Sequence, residues 1–129
     1  MKYVLLLFAL TLLCCSKDDT KNQTSTSLKG KWVETETRMD TLFFESKDGL
    51  DFMNLNRGEE LRNGNLLPKP NSGPYIYKLL EEKISLNWVL SDNSNFNDYY
   101  FEVIDNRLNI GNFYDSEFGE ILTFEKIDE

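Results

Sequence analysis

Hydrophobic and polar positions divide the chain into three stretches. Tyr3 to Leu13 is an apolar run, Ser16 to Ser27 contains no apolar side chain at all, and from Leu28 onward apolar and polar residues alternate in short segments. Alternation with period two is the mark of a strand that packs one face and wets the other. Ile84, Leu86, Trp88 and Leu90 alternate with Ser85 and Asn87, and Tyr99, Phe101 and Val103 alternate with Tyr100, Glu102 and Ile104. Leu108 and Ile110 follow a turn at Asp105-Asn106, and Leu122 with Phe124 marks a last strand before Ile127. Earlier, Lys31 to Phe44 reads as one long or broken strand. Asp48-Gly49 then makes a hairpin turn into Leu50 to Leu55, and Asn63-Gly64 makes another. Pro68, Pro70, Gly73 and Pro74 predict a loop ahead of a strand from Tyr75 to Leu80. The pattern predicts about eight strands, no helix, and an all-β sandwich or barrel.

The first two stretches lie outside that domain. Tyr3 to Leu13 follows the positive Lys2 and falls well short of the about 20 apolar residues that span a bilayer, so 1–14 reads as a signal peptide. Residues 16–27 cannot bury enough surface to offset their ordering entropy and read as a flexible tether. The remaining 28–129 are enough for one domain. With 40% hydrophobic and 13% aromatic residues the chain is too apolar to be disordered.

Charge and residue counts then remove whole classes of function. Asp and Glu number 22 against 14 Lys and Arg, and no segment concentrates the cations, so a phosphate backbone would be repelled and nucleic acid is excluded as a partner. The chain has no His and only two Cys, adjacent at Cys14 and Cys15. Triads built on His, and the usual His-containing zinc or iron sites, cannot be assembled. No cofactor or metal is expected.

Leu12 three residues before Cys15, with the small Cys14 next to it, resembles a bacterial lipobox. The resemblance implies cleavage after Cys14 and acylation of Cys15, a durable membrane anchor because each buried methylene contributes about 0.8 kcal/mol. Ser16, Lys17, Asp18 and Asp19 are similar to the acidic export tag of Bacteroidota surface lipoproteins, which implies the outer membrane and a domain facing the medium. A solvated tether without an address is the plainer alternative.

Leu28-Lys29-Gly30-Lys31-Trp32 resembles the Gly-x-Trp opening of lipocalins, and the meander ending Leu122 to Ile127 resembles the lipocalin-like domains of Bacteroidota outer-membrane lipoproteins. Only Gly30 and Trp32 match a motif, and the resemblance covers Leu28 to Ile127 in outline. It implies an up-and-down barrel of about eight strands, with Trp32 closing the narrow end. It also implies a late Arg packed on that Trp, for which Lys126 and Arg107 are the available cations. Trp32, Tyr75, Tyr77, Trp88, Tyr99 and Phe101 are the inward candidates to line a pocket for a small apolar ligand. The alternative is that these aromatics are plain core.

Other constellations carry less. Asp92 to Asp98 spaces oxygen ligands like half a calcium loop but has Asn97 where an EF-hand needs Gly and Val103 where it needs Glu, so it reads as a polar hairpin loop. Glu59-Glu60 and Glu81-Glu82 point to opposite faces of a strand and do not converge as glycoside hydrolysis requires. Ser72 lacks a strand-to-helix elbow and is no nucleophile. The sequence therefore predicts a lipid-anchored, non-catalytic binding module. The alternative is a filled barrel serving an envelope complex, with side chains such as Phe43, Tyr100 and Phe113 forming an apolar outer patch.

Overall fold

Each alternating segment becomes a strand, and the chain closes them into a ring. The computed structural model describes residues 27–115 and 119–128. The leader, Cys15 and the tether up to residue 26 lie outside the described residues. The strands are β1 (Gly30–Glu34), β2 (Thr41–Lys47), β3 (Leu50–Asn56), β4 (Glu59–Arg62) and β5 (Asn65–Pro68), followed by β6 (Gly73–Leu79), β7 (Lys83–Trp88), β8 (Asn97–Ile104), β9 (Arg107–Gly111) and β10 (Ile121–Ile127). Eight of them form a closed antiparallel barrel in the order β1-β10-β9-β8-β7-β6-β3-β2, while β4 and β5 make a separate hairpin. This is an up-and-down meander with one hairpin inserted between β3 and β6, and closure leaves the barrel no free edge. Among the described residues no helix is long and apolar enough to cross a membrane.

The expected strand between Lys31 and Phe44 is broken. Glu34 ends β1, residues 35–40 form a loop in which Arg38 takes a φ of 56°, and β2 begins at Thr41. Two other boundaries differ from the pattern. Gly73 and Pro74 belong to β6 rather than to the loop before it, and β7 stops at Trp88, short of Leu90. Pro74 is tolerated there because its carbonyl, which accepts from the Val89 N–H at 3.0 Å, faces β7, and so does its missing N–H, while the β6–β7 ladder begins only at Tyr75.

The two ends of the barrel are unlike. At one end, the turns are short: Asp48-Gly49, residues 80–82 and Asp105-Asn106. Asp48 and Gly49 both have positive φ, 53° and 79°, as a tight two-residue hairpin demands. At the other end lie the longer connections, 35–40, 57–72, 89–96 and 112–120.

Trp32 seals the short-turn end. It is fully buried, its indole Nε1 donates to the Leu28 carbonyl at 2.9 Å, and the Lys126 ammonium lies 5.5 Å from its ring centroid. Lys126 pairs with Trp32 across β1 and β10 and also donates to the Ser27 carbonyl, so of the two late cations it is the one that lies at the Trp32 ring. Arg107 does not. Gly30, at φ 109°, supplies backbone that other residues rarely adopt, and a Cβ there would touch the Lys126 stem.

Inward rows of paired residues climb around the barrel. One runs Gly30, Phe44, Met53, Tyr75, Trp88, from the sealed end to the long-loop end. Trp32, Leu42 and Leu55 form another. With Ile84, Leu108, Ile110 and Phe124, the side chains of Trp32, Leu42, Phe44, Met53 and Leu55 fill the interior at or near zero exposure.

Candidate functional site

The stagger of those rows decides which aromatics reach the open end. Tyr75 is the third residue of the descending β6, Trp88 the last of the ascending β7, Asn97 the first of β8 and Tyr99 the third. All four therefore end beside the long loops. They line a cleft of about 180 Å³ floored by Leu86. Phe113, from the connection after β9, forms its far wall, meeting Tyr75 edge-on at 5.3 Å and Tyr99 at 5.9 Å between ring centroids. Tyr75 and Trp88 lie nearly parallel, 25° apart. The rim is polar: Asn71 comes from the segment before β6, and Ser91, Asn93 and Asn95 from the β7–β8 loop.

Three of the six sequence candidates, Tyr75, Trp88 and Tyr99, are thus brought together. Trp32, Tyr77 and Phe101 lie deeper, in the packed core, where Tyr77 meets Phe44 edge-on at 5.3 Å. The rim amides are an addition that strand reasoning missed. Their signal was the alternation Asn93, Asn95, Asn97, which carries the barrel's period two into the loop and delivers Asn97 to the inward side opposite Leu86. Phe113, expected on an outer patch, instead packs inside the mouth of the barrel; Phe43 and Tyr100 are exposed, on separate strands.

Hydrogen bonds hold the cleft open. The Tyr75 hydroxyl donates to the Asn71 carbonyl at 2.7 Å, and the Asn71 amide donates to the Tyr114 carbonyl at 2.7 Å. Arg57 braces this corner from behind. Its guanidinium stacks 4.6 Å from the Tyr114 ring centroid, donates to the Pro70 carbonyl at 3.0 Å, and lies 3.7 Å from Asp40 and 3.5 Å from Asp115. Across the β7–β8 loop, Asn87 donates to the Asn95 carbonyl at 2.9 Å and Asn93 accepts from the Asn95 backbone at 3.1 Å. At its foot Ser85 donates to Asp98. Gly73 leaves room for the aromatic wall, since a Cβ there would stand 3.0 Å from Leu90 and 3.6 Å from the Trp88 indole nitrogen.

The Trp88 indole N–H is buried and, among the described residues, has no hydrogen-bond partner; closed off from solvent, it is turned toward Gly73 and is not offered to the cleft. The lining is uncharged among the described residues. Burial, with Tyr99 nearby, pushes the Tyr75 hydroxyl well above the ordinary phenol range, Arg57 offsetting only part of it, and burial also raises Tyr99. Both remain neutral phenols, able to donate and accept.

The fold and the site together define a sealed-bottom, eight-stranded barrel with a small aromatic and amide-rimmed cleft at its mouth. No protein-family model, curated protein or solved structure matches the chain.

Proposed function

We propose that this chain is an exported lipoprotein, anchored in the outer membrane by acyl chains on Cys15, whose lipocalin-like barrel binds a small ligand without transforming it. One observation carries the binding reading: the cleft formed by Tyr75, Trp88, Tyr99 and Phe113, with its rim of side-chain amides. The chain reaches the barrel at Ser27 and Leu28, beside Lys126 and Trp32 at the sealed end. A protein tethered through Cys15 would therefore present the cleft away from its membrane. The described lining has no acid, thiol or imidazole to act as nucleophile or base, which favours binding over catalysis.

Native mass spectrometry of the intact protein extracted from its membrane tests both halves. The expected result is an amino terminus at Cys15 carrying diacylglycerol and an N-acyl chain, together with a small adduct whose release changes Trp88 emission. An unprocessed Met1 terminus would sink the anchor, and an adduct-free protein with a silent Trp88 would sink the binding module.

A second reading, an accessory subunit of an envelope complex, rests on the β4–β5 hairpin. It stands apart from the barrel sheet, and its cross-strand pair Leu61 and Leu66 is 72% and 66% exposed. Under that reading, Leu61→Glu with Leu66→Glu abolishes cross-linking to an envelope protein while leaving ligand binding intact.

A further inference from the structure

The cleft's chemistry narrows the ligand, on the footing that the barrel is a binding module. A pocket for a fatty or otherwise apolar molecule is walled predominantly by apolar side chains and carries few polar groups. Here half of the described lining is polar, and Leu86 at the floor is its only described aliphatic residue. Around it stand flat aromatic faces on one side and a ring of neutral amides and hydroxyls on the other.

Each side-chain amide both donates and accepts, and so matches a hydroxyl that does the same. The side-chain amides of Asn95 and Asn97 hydrogen-bond to no described residue, and Asn71 engages only its NH2 group, leaving its Oδ1 available. The Tyr75 hydroxyl donates to the Asn71 carbonyl and is left as an acceptor. Donors and acceptors thus alternate around the rim while the partly buried Trp88 offers its ring face. A molecule that meets all of this is neutral, carries several adjacent hydroxyls, and has one face of C–H groups to lay on the rings.

We infer that the cleft at the open end of the barrel binds one ring of a neutral saccharide, its apolar face against Trp88 and its hydroxyls on Asn71, Asn95 and Asn97. The volume agrees. About 180 Å³ is below the roughly 300–1,000 Å³ that encloses a drug-sized ligand, but holds a single pyranose ring with the rest of a glycan outside. The uncharged lining, on a chain of net charge −8, disfavours phosphorylated or acidic ligands. A half-open cleft gripping one ring should bind weakly, with Kd of about 1 mM for a monosaccharide.

The test uses the intact, anchored protein in a zwitterionic detergent that contains no sugar. Methyl glycosides of glucose, galactose, mannose and N-acetylglucosamine are screened by saturation-transfer NMR and by tryptophan emission, with adenosine and anilinonaphthalene sulfonate as probes of other chemistry. At least one glycoside should bind and shift the emission. Asn95→Ala and Asn97→Ala, both on the exposed rim and checked by circular dichroism, should each weaken it about tenfold, the loss of one hydrogen bond. Glycoside binding unchanged in both variants would overturn the site. Binding of adenosine or the dye at Trp88, with no glycoside bound, would overturn the saccharide and leave the binding module standing. Silence from every probe would remove both.

Discussion

Glu34 is a carboxylate 6% exposed at the end of β1, and its replacement by Gln should destabilise the barrel in a manner that depends on pH. Its Oε1 accepts from the Glu36 N–H at 2.6 Å; its Oε2 accepts from the Thr37 N–H and the Thr37 hydroxyl, both at 2.7 Å. The carboxylate thereby organises the 35–40 loop that links β1 to β2. A Gln keeps one oxygen, weakens the bonds it retains by removing the charge, and turns an NH2 toward a donor. With bonds to charged groups contributing about 1.5–3 kcal/mol each, and water partly replacing them in an exposed loop, Glu34→Gln should cost about 2 kcal/mol at pH 7. Burial pushes the Glu34 carboxyl up, but the bonds from Glu36, Thr37 and Arg38 outweigh it and hold its pKa below the ordinary value. The native pKa being depressed, this stabilisation is present above the unfolded value of about 4.3 and fades as pH falls through the native one. Urea unfolding of wild type and variant at pH 7 and at about pH 3 measures the gap. It should narrow at the lower pH; an equal gap at both, or no gap at pH 7, would refute the reasoning.

Three further perturbations address the core and the cleft. Trp32→Ala empties the sealed end and should cost about 3–5 kcal/mol in urea unfolding, while Lys126→Met should cost about 1 kcal/mol or less and Lys126→Arg should restore it. Arg57→Ala removes the brace behind Tyr114 and leaves Asp40 unpaired. It should cost about 2–3 kcal/mol and speed amide exchange at Asn71 and Tyr114. Gly73→Ala forces a Cβ against Leu90 at a φ of 122°, so it should cost about 1–3 kcal/mol and shift Trp88 emission while Trp32 emission holds still.

The strands were legible because period-two alternation and two-residue turns are local signals; alternation left sandwich and barrel open, and closure was expected only from the Gly-x-Trp resemblance. Asp48-Gly49 and the Gly30-Lys31-Trp32 opening each mark a conformation that few other residues serve. The seating of Lys126 on Trp32 was legible only as one of two options, since it depends on the register of β1 against β10, which no local pattern encodes. Asn63-Gly64 announced a hairpin but not that the hairpin leaves the barrel; the missing alternation in Glu59–Arg62 and Asn65–Pro68, neither of which buries a residue, was the available signal. Only half the aromatic candidates meet at the cleft for a similar reason. Alternation says that Tyr75, Tyr77, Trp88 and Phe101 point inward, but the height of each along the barrel axis comes from the stagger between strands. Phe113 was misjudged because it lies outside any strand, where alternation has no meaning and long-range packing against Tyr75 and Tyr99 decides.

The two tryptophans offer the most direct test, because each contributes one indole N–H resonance to a nitrogen–proton correlation spectrum. Trp32 donates to Leu28 in the sealed end, and the Trp88 ring borders the cleft. On adding the small-molecule fraction of the cell envelope, the Trp88 resonance should move as a ligand settles on its ring, and that of Trp32 should stay. A ligand that shifts Trp32 or the β4–β5 hairpin and leaves Trp88 unmoved would contradict the account.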